Sequence, residues 1–410
     1  MREGWEEVKF GDVVQFPPKI KLKKGLPYPF IPMENLDSGI KYVKPLIEKK
    51  IKGSGAKFEE GDTLFSRITP CLQNGKIAQA KDLKGKPGFG STEYFVFREI
   101  KELTHSDFIY YLSKSQWFKG NAENSMVGSS GRQRADADFL RNLKINLPPL
   151  NTQRKIASIL SAYDDLIENN LKRIKLLEEQ AQLTYEEWFV RLKFPGHEDV
   201  AIDKATGLPV GWEIKKLEKV LKASNGKSFK SDFLNYNEIP VYGSNGIIGQ
   251  SEIYNNEKAI IVGRVGAYCG ATKYCKSKFW ATDNTITLTS TDERMPNELA
   301  FYIIKLYDLR NLAGGSAQPL LTQRLINNLD LTIPKRNISL KFTELTNRVF
   351  DTIINLKNQN QLLKEARDIL LPRLMSGMVD VDELLGDSKY VVNTVEGLRM
   401  VAEDRVEYKN

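Results

Sequence analysis

The sequence predicts an α+β protein in which two similar mixed α/β domains are separated by two long helices that pair antiparallel as a coiled coil. Two observations lead to this fold class, an internal duplication and two stretches of heptad-spaced apolar residues. The duplication is visible in the tripeptide Gly-Trp-Glu at residues 4–6, which recurs at 211–213, 207 residues later. A repeat of this length is far longer than a solenoid period and indicates a duplicated module.

The two features divide the chain into consecutive segments. The predicted segments are a first domain at residues 1–147, a central long helix at 148–195, a linker and second domain at 196–334, a second long helix at 335–379, and an acidic tail at 380–410. The linker is assigned from the Pro and Gly content of residues 195–211, since these residues favour turns and loops.

The two domains present the same order of local patterns. Each has a β-rich run, a second β-rich run and then an apolar segment of helical character. These patterns fall at 61–68, 94–97 and 108–112 in the first domain and at 259–265, 285–288 and 299–304 in the second.

The long helices are predicted from apolar residues that recur every seven positions, which is the pattern of a coiled coil. About 40 helical residues make a rod of about 60 Å. A helix packed on a globular core is the alternative reading of the same stripe. The residues assigned to the seam between the helices are Leu160, Ile167, Ile174 and Trp188 in the first helix and Val349, Leu356, Leu363 and Leu370 in the second.

Two asparagines lie at positions close to this predicted seam. Asn170 and Asn360 could be buried together, where a polar pair fixes helix register at some cost in stability. Alternatively, both could lie at a solvent-exposed edge.

The charge of the chain is unevenly distributed around a net value of +8. Residues 1–147 carry 25 basic and 18 acidic residues, whereas residues 380–410 carry 4 basic and 8 acidic residues. Basic domains favour a polyanionic partner. Only three cysteines occur, which suits a reducing cytoplasm, and no apolar run reaches the roughly 18–20 residues that a membrane span needs.

The motifs of common enzymes are incomplete in this sequence. Residues 225–228 (Asn-Gly-Lys-Ser) resemble the end of a phosphate-binding loop, but Leu221 stands where its first glycine is required. The glycines of 243–249 do not have the dinucleotide-binding spacing. With only two histidines, and cysteines that form no paired motif, we assign no catalytic residues and no metal site.

Four segments resemble the specificity subunit of type I restriction–modification systems. They are residues 147–157 (LPPLNTQRKIA), 194–198 (FPGHE), 207–213 (GLPVGWE) and 370–377 (LLPRLMSG). The resemblance covers about residues 1–380. It implies that the two domains are target-recognition domains, each reading one half of a bipartite, asymmetric DNA site, held apart by the antiparallel helices.

The resemblance also implies the partners of this chain and a noncatalytic role. The expected partners are double-stranded DNA, two methyltransferase subunits and the restriction subunits, in the cytoplasm. S-adenosylmethionine, ATP and Mg would be held by those partner subunits, and none by this chain. A self-contained DNA methyltransferase and a coiled-coil scaffold that binds no DNA are the alternatives.

Candidate contacts follow from side-chain type and position, since Arg, Lys, Asn and Gln read bases and neutralise phosphates. For DNA they are Arg67, Gln73, Asn74, Lys76, Arg132, Gln133 and Arg134 in the first domain and Lys227, Lys230, Ser244, Asn245, Arg264, Tyr268, Lys273 and Gln318 in the second. A surface charge or a local ion pair is the alternative for each. Gln153, Arg154 and Ile156 are the candidates for docking the methyltransferase subunits.

Overall fold

A computed structural model describes residues 4–51, 53–129, 131–230, 239–314 and 319–381 of the chain. The chain divides into two compact units. The first comprises Met1–Lys172 and Leu356–Asn410, and the second comprises Arg173–Asn355. Each unit therefore contains one globular domain together with segments of both long helices.

The first unit is built on short strands that form two larger sheets and one separate pair. Its strands are β1 (Glu6–Lys9), β2 (Val14–Gln15), β3 (Pro27–Ile31), β4 (Tyr42–Val43), β5 (Ile47–Lys50), β6 (Ala56–Phe58), β7 (Thr63–Ser66), β8 (Ile77–Ala80), β9 (Gly88–Gly90), β10 (Tyr94–Glu99) and β11 (Lys144–Leu147). The larger sheets have the strand orders β2-β10-β7-β8-β4 and β5-β3-β9-β6. Strands β7 and β8 are buried along their whole length, as central strands should be.

Helices cover this sheet and lead into the first long helix. They are α1 (Phe10–Val13), α2 (Ser106–Lys114), α3 (Gln116–Asn124), α4 (Ala137–Asn142) and α5 (Leu150–Tyr185). The side chains of Ser115 and Asp136 cap α3 and α4 by accepting backbone N–H groups. The core between helices and sheet is aromatic, with Phe10, Phe97 and Phe118 in edge-to-face contact.

The second unit repeats this plan with longer strands. Its elements are β12 (Glu213–Lys216), β13 (Leu221–Asn225), β14 (Ile239–Gly243), β15 (Gly246–Ser251), β16 (Asn256–Gly263), β17 (Thr272–Ala281), β18 (Thr285–Ser290), β19 (Asp330–Ile333), α6 (Asn297–Leu306), α7 (Leu309–Leu312), α8 (Gln323–Asn327) and α9 (Arg336–Met375). Six of the strands form one sheet in the order β13-β18-β16-β17-β14-β15.

The duplication extends to strand register. In the first unit β1 pairs antiparallel with β11, and Glu6 lies opposite Leu147. In the second unit β12 pairs with β19 in the same way, and Glu213 lies opposite Ile333. The strand and helix patterns predicted for both domains coincide with β7, β10 and α2 and with β16, β18 and α6. The predicted fold class, two similar mixed α/β domains with two long antiparallel helices, is confirmed.

Within the first unit, α5 and α9 pair antiparallel through buried polar groups. Asn170 Nδ2 donates to Asn360 Oδ1 at 2.9 Å, and both residues are only 6% exposed. Arg367 Nη1 donates to Asp164 Oδ1, with both side chains buried. Because the earlier residue of α5 meets the later residue of α9, the pairing is antiparallel. Of the two readings of Asn170 and Asn360, burial at the seam is correct.

Within the second unit, the other segments of the same helices pair through aromatic rings. The ring of Phe342 lies 6.1 Å from Tyr185, 5.9 Å from Trp188 and 5.1 Å from Phe189. Helix α5 ends at Tyr185 and continues as a π-helical turn at Glu186–Val190, which the sequence analysis did not predict.

The first domain contacts the α5 segment of its unit through hydrogen bonds and ion pairs. Tyr111, in α2, donates from its hydroxyl group to Asp164 Oδ2 at 2.6 Å. Lys41 is completely buried, and its Nζ lies 2.8 Å from Ser161 Oγ of α5 and 2.8 Å from Asp107 Oδ1. The hydrophobic core of the domain also includes Leu160 of α5. Both sequence readings of the apolar stripe, helix pairing and packing on a domain, therefore hold in this unit.

Glu168 adds a second set of ion pairs to this attachment. Its carboxylate lies 2.8 Å from Lys44 Nζ, 3.3 Å from Lys81 Nζ and 3.1 Å from Lys172 Nζ. Burial opposes ionisation of Glu168, but the hydrogen bonds from Lys44 and Lys172 lower its pKa to about 2.

The second domain contacts its helix segments through aromatic rings and through polar groups, such as the ion pair between Lys276 of β17 and Asp351 of α9. Phe350 of α9 lies 5.2 Å from Tyr274 and 6.1 Å from Tyr302, measured between ring centroids. Counted from the closing strands β11 and β19, Phe350 occupies the position that Asp164 occupies in the first unit. The two units therefore use different chemistry at equivalent places.

Replacement of Asp164 by Ala should destabilise the first unit by about 3–5 kcal/mol, because the buried Arg367 would keep only the exposed Asp368 as its carboxylate partner and the Tyr111 hydroxyl would lose its acceptor. Urea denaturation of the full chain measures this loss. The double variant Asp164→Leu with Arg367→Met should recover part of it, since both charges are then removed together, although the buried Tyr111 hydroxyl still lacks the acceptor that Asp164 provided. The matched control is Asp165→Ala in the same turn, which removes only an exposed hydrogen bond from the Tyr42 hydroxyl, and an equal loss there would contradict the prediction.

Replacement of Glu168 by Gln should lower the thermal unfolding midpoint at pH 7 by about 2–4 °C, equivalent to about 1 kcal/mol for a unit of this size. Because the folded-state pKa lies below the unfolded value, the stabilisation is complete above about pH 4.5 and is lost as the pH falls toward 2. Unfolding scans of both proteins should therefore converge over this range. A difference that persists at the acid end would show that packing, not charge, causes the effect.

Candidate nucleic-acid interface

The candidates of the first domain gather at the carboxyl end of β7. Arg67 follows this strand, and its backbone is fixed by hydrogen bonds from Arg67 N to Glu93 O at 3.0 Å and from Ala135 N to Arg67 O at 2.8 Å. Arg134 forms isolated bridges with Ile68 and Val127. Residues 132–134 therefore lie beside the segment that begins at Arg67.

The loop between β7 and β8 adds amide and basic side chains to this face. Gln73 and Asn74 are exposed, and the loop is closed by the hydrogen bond from Asn74 N to Pro70 O at 2.9 Å. Lys76 Nζ donates to Met33 O at 3.1 Å, and Lys119 Nζ donates to Gln73 O at 3.0 Å. Lys119 belongs to α3 and was missed, because nothing in the sequence indicates that this helix reaches the loop. We call Arg67, Gln73, Asn74, Lys76, Lys119, Arg132, Gln133 and Arg134 the first face.

A single carboxylate organises the arginines of the first face. Glu93 is hydrogen bonded to Arg134 through Nε at 2.9 Å and Nη2 at 2.8 Å, and to Arg67 Nε at 3.2 Å. The hydrogen bonds from Arg134 lower the pKa of Glu93 below its usual range. The local ion pair, the alternative considered for each charged candidate, is therefore present for Arg67 and Arg134. DNA contact by these residues stays a prediction.

The equivalent face of the second domain lies at the carboxyl end of β16. Arg264 follows this strand and has the same backbone bonds as Arg67, from Arg264 N to Asn284 O and from Leu321 N to Arg264 O, both at 2.9 Å. The two arginines thus occupy equivalent places after equivalent strands.

Close backbone approach brings the other candidates to this end of β16. A Cβ on Gly263 would lie 2.4 Å from Tyr268 O and 2.9 Å from Ser244 O, so only glycine permits the approach. Ser244 Oγ donates to Asn284 O at 2.7 Å, and Lys273 Cε would lie 3.3 Å from a Cβ on Gly246. We call Ser244, Asn245, Arg264, Tyr268 and Lys273 the second face.

The remaining candidates of the second domain lie at or beyond the margin of this face. Lys227 is exposed, and its backbone N donates to Ala281 O at 2.9 Å. Lys230 is exposed in an irregular segment. Gln318 lies outside the described residues.

An open polar groove of about 630 Å³ adjoins Arg264 in the second unit. Its lining consists of Glu218, Asn225, Arg264, Thr322, Gln323, Arg324, Asn327 and Asn328. Arg264 Nε and Asn327 Oδ1 are buried without a hydrogen-bond partner among the described residues.

Two of the three candidates for subunit docking are not available at the surface. Gln153 is completely buried and binds Leu103 O at 3.0 Å and Pro148 O at 2.9 Å, and Ile156 is part of the domain core. The structure contradicts docking by these two side chains, because the turn that carries them faces the domain. Arg154 is exposed and stays a candidate.

The residues assigned to the helix seam are all at least partly buried. Trp188 and Leu370 are partly buried. The fully buried members are Leu160, Ile167, Ile174, Val349, Leu356 and Leu363.

No cluster of three or more His, Cys, Asp or Glu side chains that could hold a metal ion occurs within the described ranges. Across those ranges, too, every helix is too short or too polar to cross a membrane. The acidic tail predicted at 380–410 lies outside the description, apart from its first two residues.

The fold and the two faces define a protein built from a duplicated α+β module, in which each copy carries basic and amide side chains at the end of an equivalent strand. The family model for the type I restriction modification DNA specificity domain matches residues 2–179 and 209–365. Because these matches cover most of the chain, the protein belongs to this family.

Two relatives agree with this assignment, and a solved structure shares the fold. The chain is 28% identical over 426 residues to the type I restriction enzyme MjaIX specificity subunit of Methanocaldococcus jannaschii, covering 93% of this chain and 95% of the relative. It is 31% identical over 163 residues to the EcoEI specificity subunit of Escherichia coli, covering 39% of this chain and 27% of that subunit. The crystal structure of the type I S subunit from M. genitalium shares the fold, with 18% identity, a TM-score of 0.56, and coverage of 90% of this chain and 96% of that one.

Proposed function

We propose that this specificity subunit reads a bipartite, asymmetric DNA site, one half with each domain, and that it catalyses no reaction itself. The observation that carries the proposal is the divergence of two faces on one repeated backbone. Arg67 and Arg264 are equivalent, but Glu93 and Arg134 of the first unit are replaced by Asn284 and Leu320 in the second. Two domains that recognise unlike half-sites need side chains at equivalent backbone positions, but those side chains must differ in chemistry.

The chemistry of both faces suits contact with duplex DNA. Arg132 of the first face and Lys273 of the second, both exposed, can neutralise phosphates, which gives affinity without sequence preference. Arginine and amide side chains discriminate bases in the major groove. That the length of the paired helices fixes the gap between the half-sites stays a prediction.

The reaction belongs to the partners in this proposal. The methyltransferase subunits would bind S-adenosylmethionine and methylate adenines, and the restriction subunits would use ATP and Mg. This chain would bind none of these cofactors. Its place would be the cytoplasm, where its partners and its DNA are found.

Exposed apolar side chains on the helices offer a docking surface for two copies of one partner. In the first unit Leu362 and Ile369 are 65% and 56% exposed. In the second unit Leu176 and Leu183 are 63% and 57% exposed. Counted from the closing strands, Leu176 corresponds to Leu362 and Leu183 to Ile369. Because each unit displays an exposed apolar pair at the same repeat position, two methyltransferase subunits can dock in equivalent ways.

Mapping of methylated adenines tests the function. We expect that the chain, expressed with its methyltransferase subunits in cells without another such system, directs methylation to one motif with two unlike halves. Expression of the chain alone is the control and should give no methylation, because it would lack the cofactor-binding subunits.

Two outcomes would replace this function by another. Methylation by the chain alone would support a self-contained methyltransferase. Absence of salt-dependent binding to duplex DNA, measured by fluorescence anisotropy, would support a scaffold that binds no DNA.

Replacement of Leu362 and Ile369 together by Glu should reduce the number of bound methyltransferase subunits from two to one, because charge replaces the apolar contact at one of two equivalent sites. Native mass spectrometry of the complex counts the subunits. The matched variant replaces Leu176 and Leu183 by Glu, and combining both pairs should abolish binding. The unfolding midpoint should not change, since all four side chains are exposed, and a complex that keeps two subunits would contradict the docking surface.

A further inference from the structure

Glu93 links two arginines of the first face, although the sequence analysis assigned it no role. Its side chain is 21% exposed, and those of Arg67 and Arg134 are 33% and 42% exposed. It binds Arg134 with both oxygens, whereas Arg67 approaches through Nε alone. The three side chains therefore form an acceptor flanked by two guanidinium groups at the edge of the domain.

The guanidinium group of Arg67 is held in one orientation by three kinds of contact. Its Nε donates to Glu93 at 3.2 Å, its Cζ lies 5.4 Å from the centre of the Phe95 ring, and its backbone is fixed by bonds to Glu93 O and from Ala135 N. Its two terminal nitrogens, Nη1 and Nη2, have no hydrogen-bond partner in the described part of the protein. Arg67 therefore presents two adjacent donors, and its side chain has little conformational freedom left to lose when DNA binds.

Two adjacent donors of this kind match the O6 and N7 acceptors of guanine in the major groove. Adenine offers only one acceptor at that edge, next to a donor amino group, so it would be rejected. A phosphate is a poorer match for this arrangement, because the Glu93 carboxylate lowers the net positive charge and repels an anion. The Glu93 carboxylate therefore orients the guanidinium group of Arg67 and does not increase the affinity for DNA.

The second unit provides an internal comparison at the same backbone position. Asn284 stands in the place of Glu93 and Leu320 in the place of Arg134. Arg264 Nη1 reaches Asp283 O only at 3.5 Å, and its Nε is buried without a partner among the described residues. Arg264 therefore has the position of Arg67 but not the acid that orients it.

We propose that Arg67 reads a guanine in one half of the DNA site through Nη1 and Nη2, and that Glu93 is the positioning residue that sets this orientation. The inference rests on the proposed function, since it needs a site with separate halves. It also distinguishes the halves, because the second face lacks the acid.

Base substitution in the mapped site tests the reading of guanine. The full complex of this chain with its methyltransferase subunits is titrated with duplexes in which each guanine·cytosine pair is replaced in turn by adenine·thymine, and with duplexes carrying 7-deazaguanine at the same positions. At one guanine of one half-site the wild-type complex should lose about 5- to 150-fold in affinity on replacement by adenine. In the Arg67→Ala complex, the ratio of the affinity for the guanine duplex to that for the adenine duplex should be close to one at that position and unchanged at the others.

The matched control is Arg264→Ala, which should leave discrimination at that guanine unchanged and alter only the other half-site. The 7-deazaguanine duplex, which lacks the N7 acceptor, should weaken the wild-type complex and have little further effect on the Arg67→Ala complex. The inference would be overturned if the Arg67→Ala complex kept the wild-type ratio of guanine to adenine affinity at every guanine of the site.

Glu93→Gln separates positioning from a structural role. Glutamine keeps the size of the side chain and removes its charge, so the ratio between guanine and adenine at that position should fall several-fold. Binding to unrelated duplex should be equal to or tighter than that of the wild type, because one negative charge is lost. A merely structural role would instead weaken all duplexes alike and lower the unfolding midpoint, and either that result or an unchanged ratio would overturn the role of Glu93.

The outcomes of this experiment also separate the inference from the function on which it rests. A wild-type complex without any bipartite preference would refute the proposed function. A wild-type complex with such a preference, whose discrimination does not depend on Arg67, would refute only the reading of guanine.

Discussion

Buried polar pairing between α5 and α9 is the constraint on which the first unit depends. An apolar seam alone can slip by a heptad, because one leucine resembles another. If the seam slipped, the amides of Asn170 and Asn360 would be buried without partners, and each unsatisfied group costs about 1–3 kcal/mol. Asp164 and Arg367 raise this penalty, since an unpaired buried charge costs still more. One register is therefore strongly preferred over its neighbours.

The same constraint also fixes the domain, because Asp164 takes part in both contacts. One of its oxygens accepts from Arg367 of α9, and the other accepts from Tyr111 of the domain. The aromatic cluster around Phe342 and Phe350 performs this task in the second unit. Aromatic packing tolerates small displacements, whereas a half-satisfied polar network is worse than an apolar core. The first unit should therefore respond more sharply to pH and to single substitutions in its attachment.

Much of the fold could be predicted from the sequence because it is repeated or periodic. The recurrence of Gly-Trp-Glu marked the start of each domain, and the heptads predicted the two long helices, whereas the strand pairs at each domain base were not predicted. The equivalence of Arg67 and Arg264 followed from strand order. Repeats and heptads can be recognised from the sequence alone, because neither pattern depends on knowledge of tertiary contacts.

The features that could not be predicted depend on contacts between distant segments. Glu93 meets Arg134 across 41 positions of the chain, and Lys119 meets the loop of Gln73 from another helix. Gln153 has the composition of a surface residue, but its amide satisfies the backbone at the helix base and is buried. A polar side chain with several backbone partners within reach cannot be told from an exposed one by type or spacing.

Duplication with divergence also explains how modest contacts could give high specificity in the proposed function. A single base pair read by a bidentate contact contributes about 1–3 kcal/mol of discrimination, which is little against the many competing sites of a genome. Two domains in one chain add their discrimination, because the second binds at a high effective concentration once the first is bound. Unlike halves also give the complex a direction on the duplex, which two identical domains could not provide. The substitutions that distinguish the two faces are therefore expected to be the determinants of the DNA sequence, whereas the shared backbone maintains the geometry in which they act.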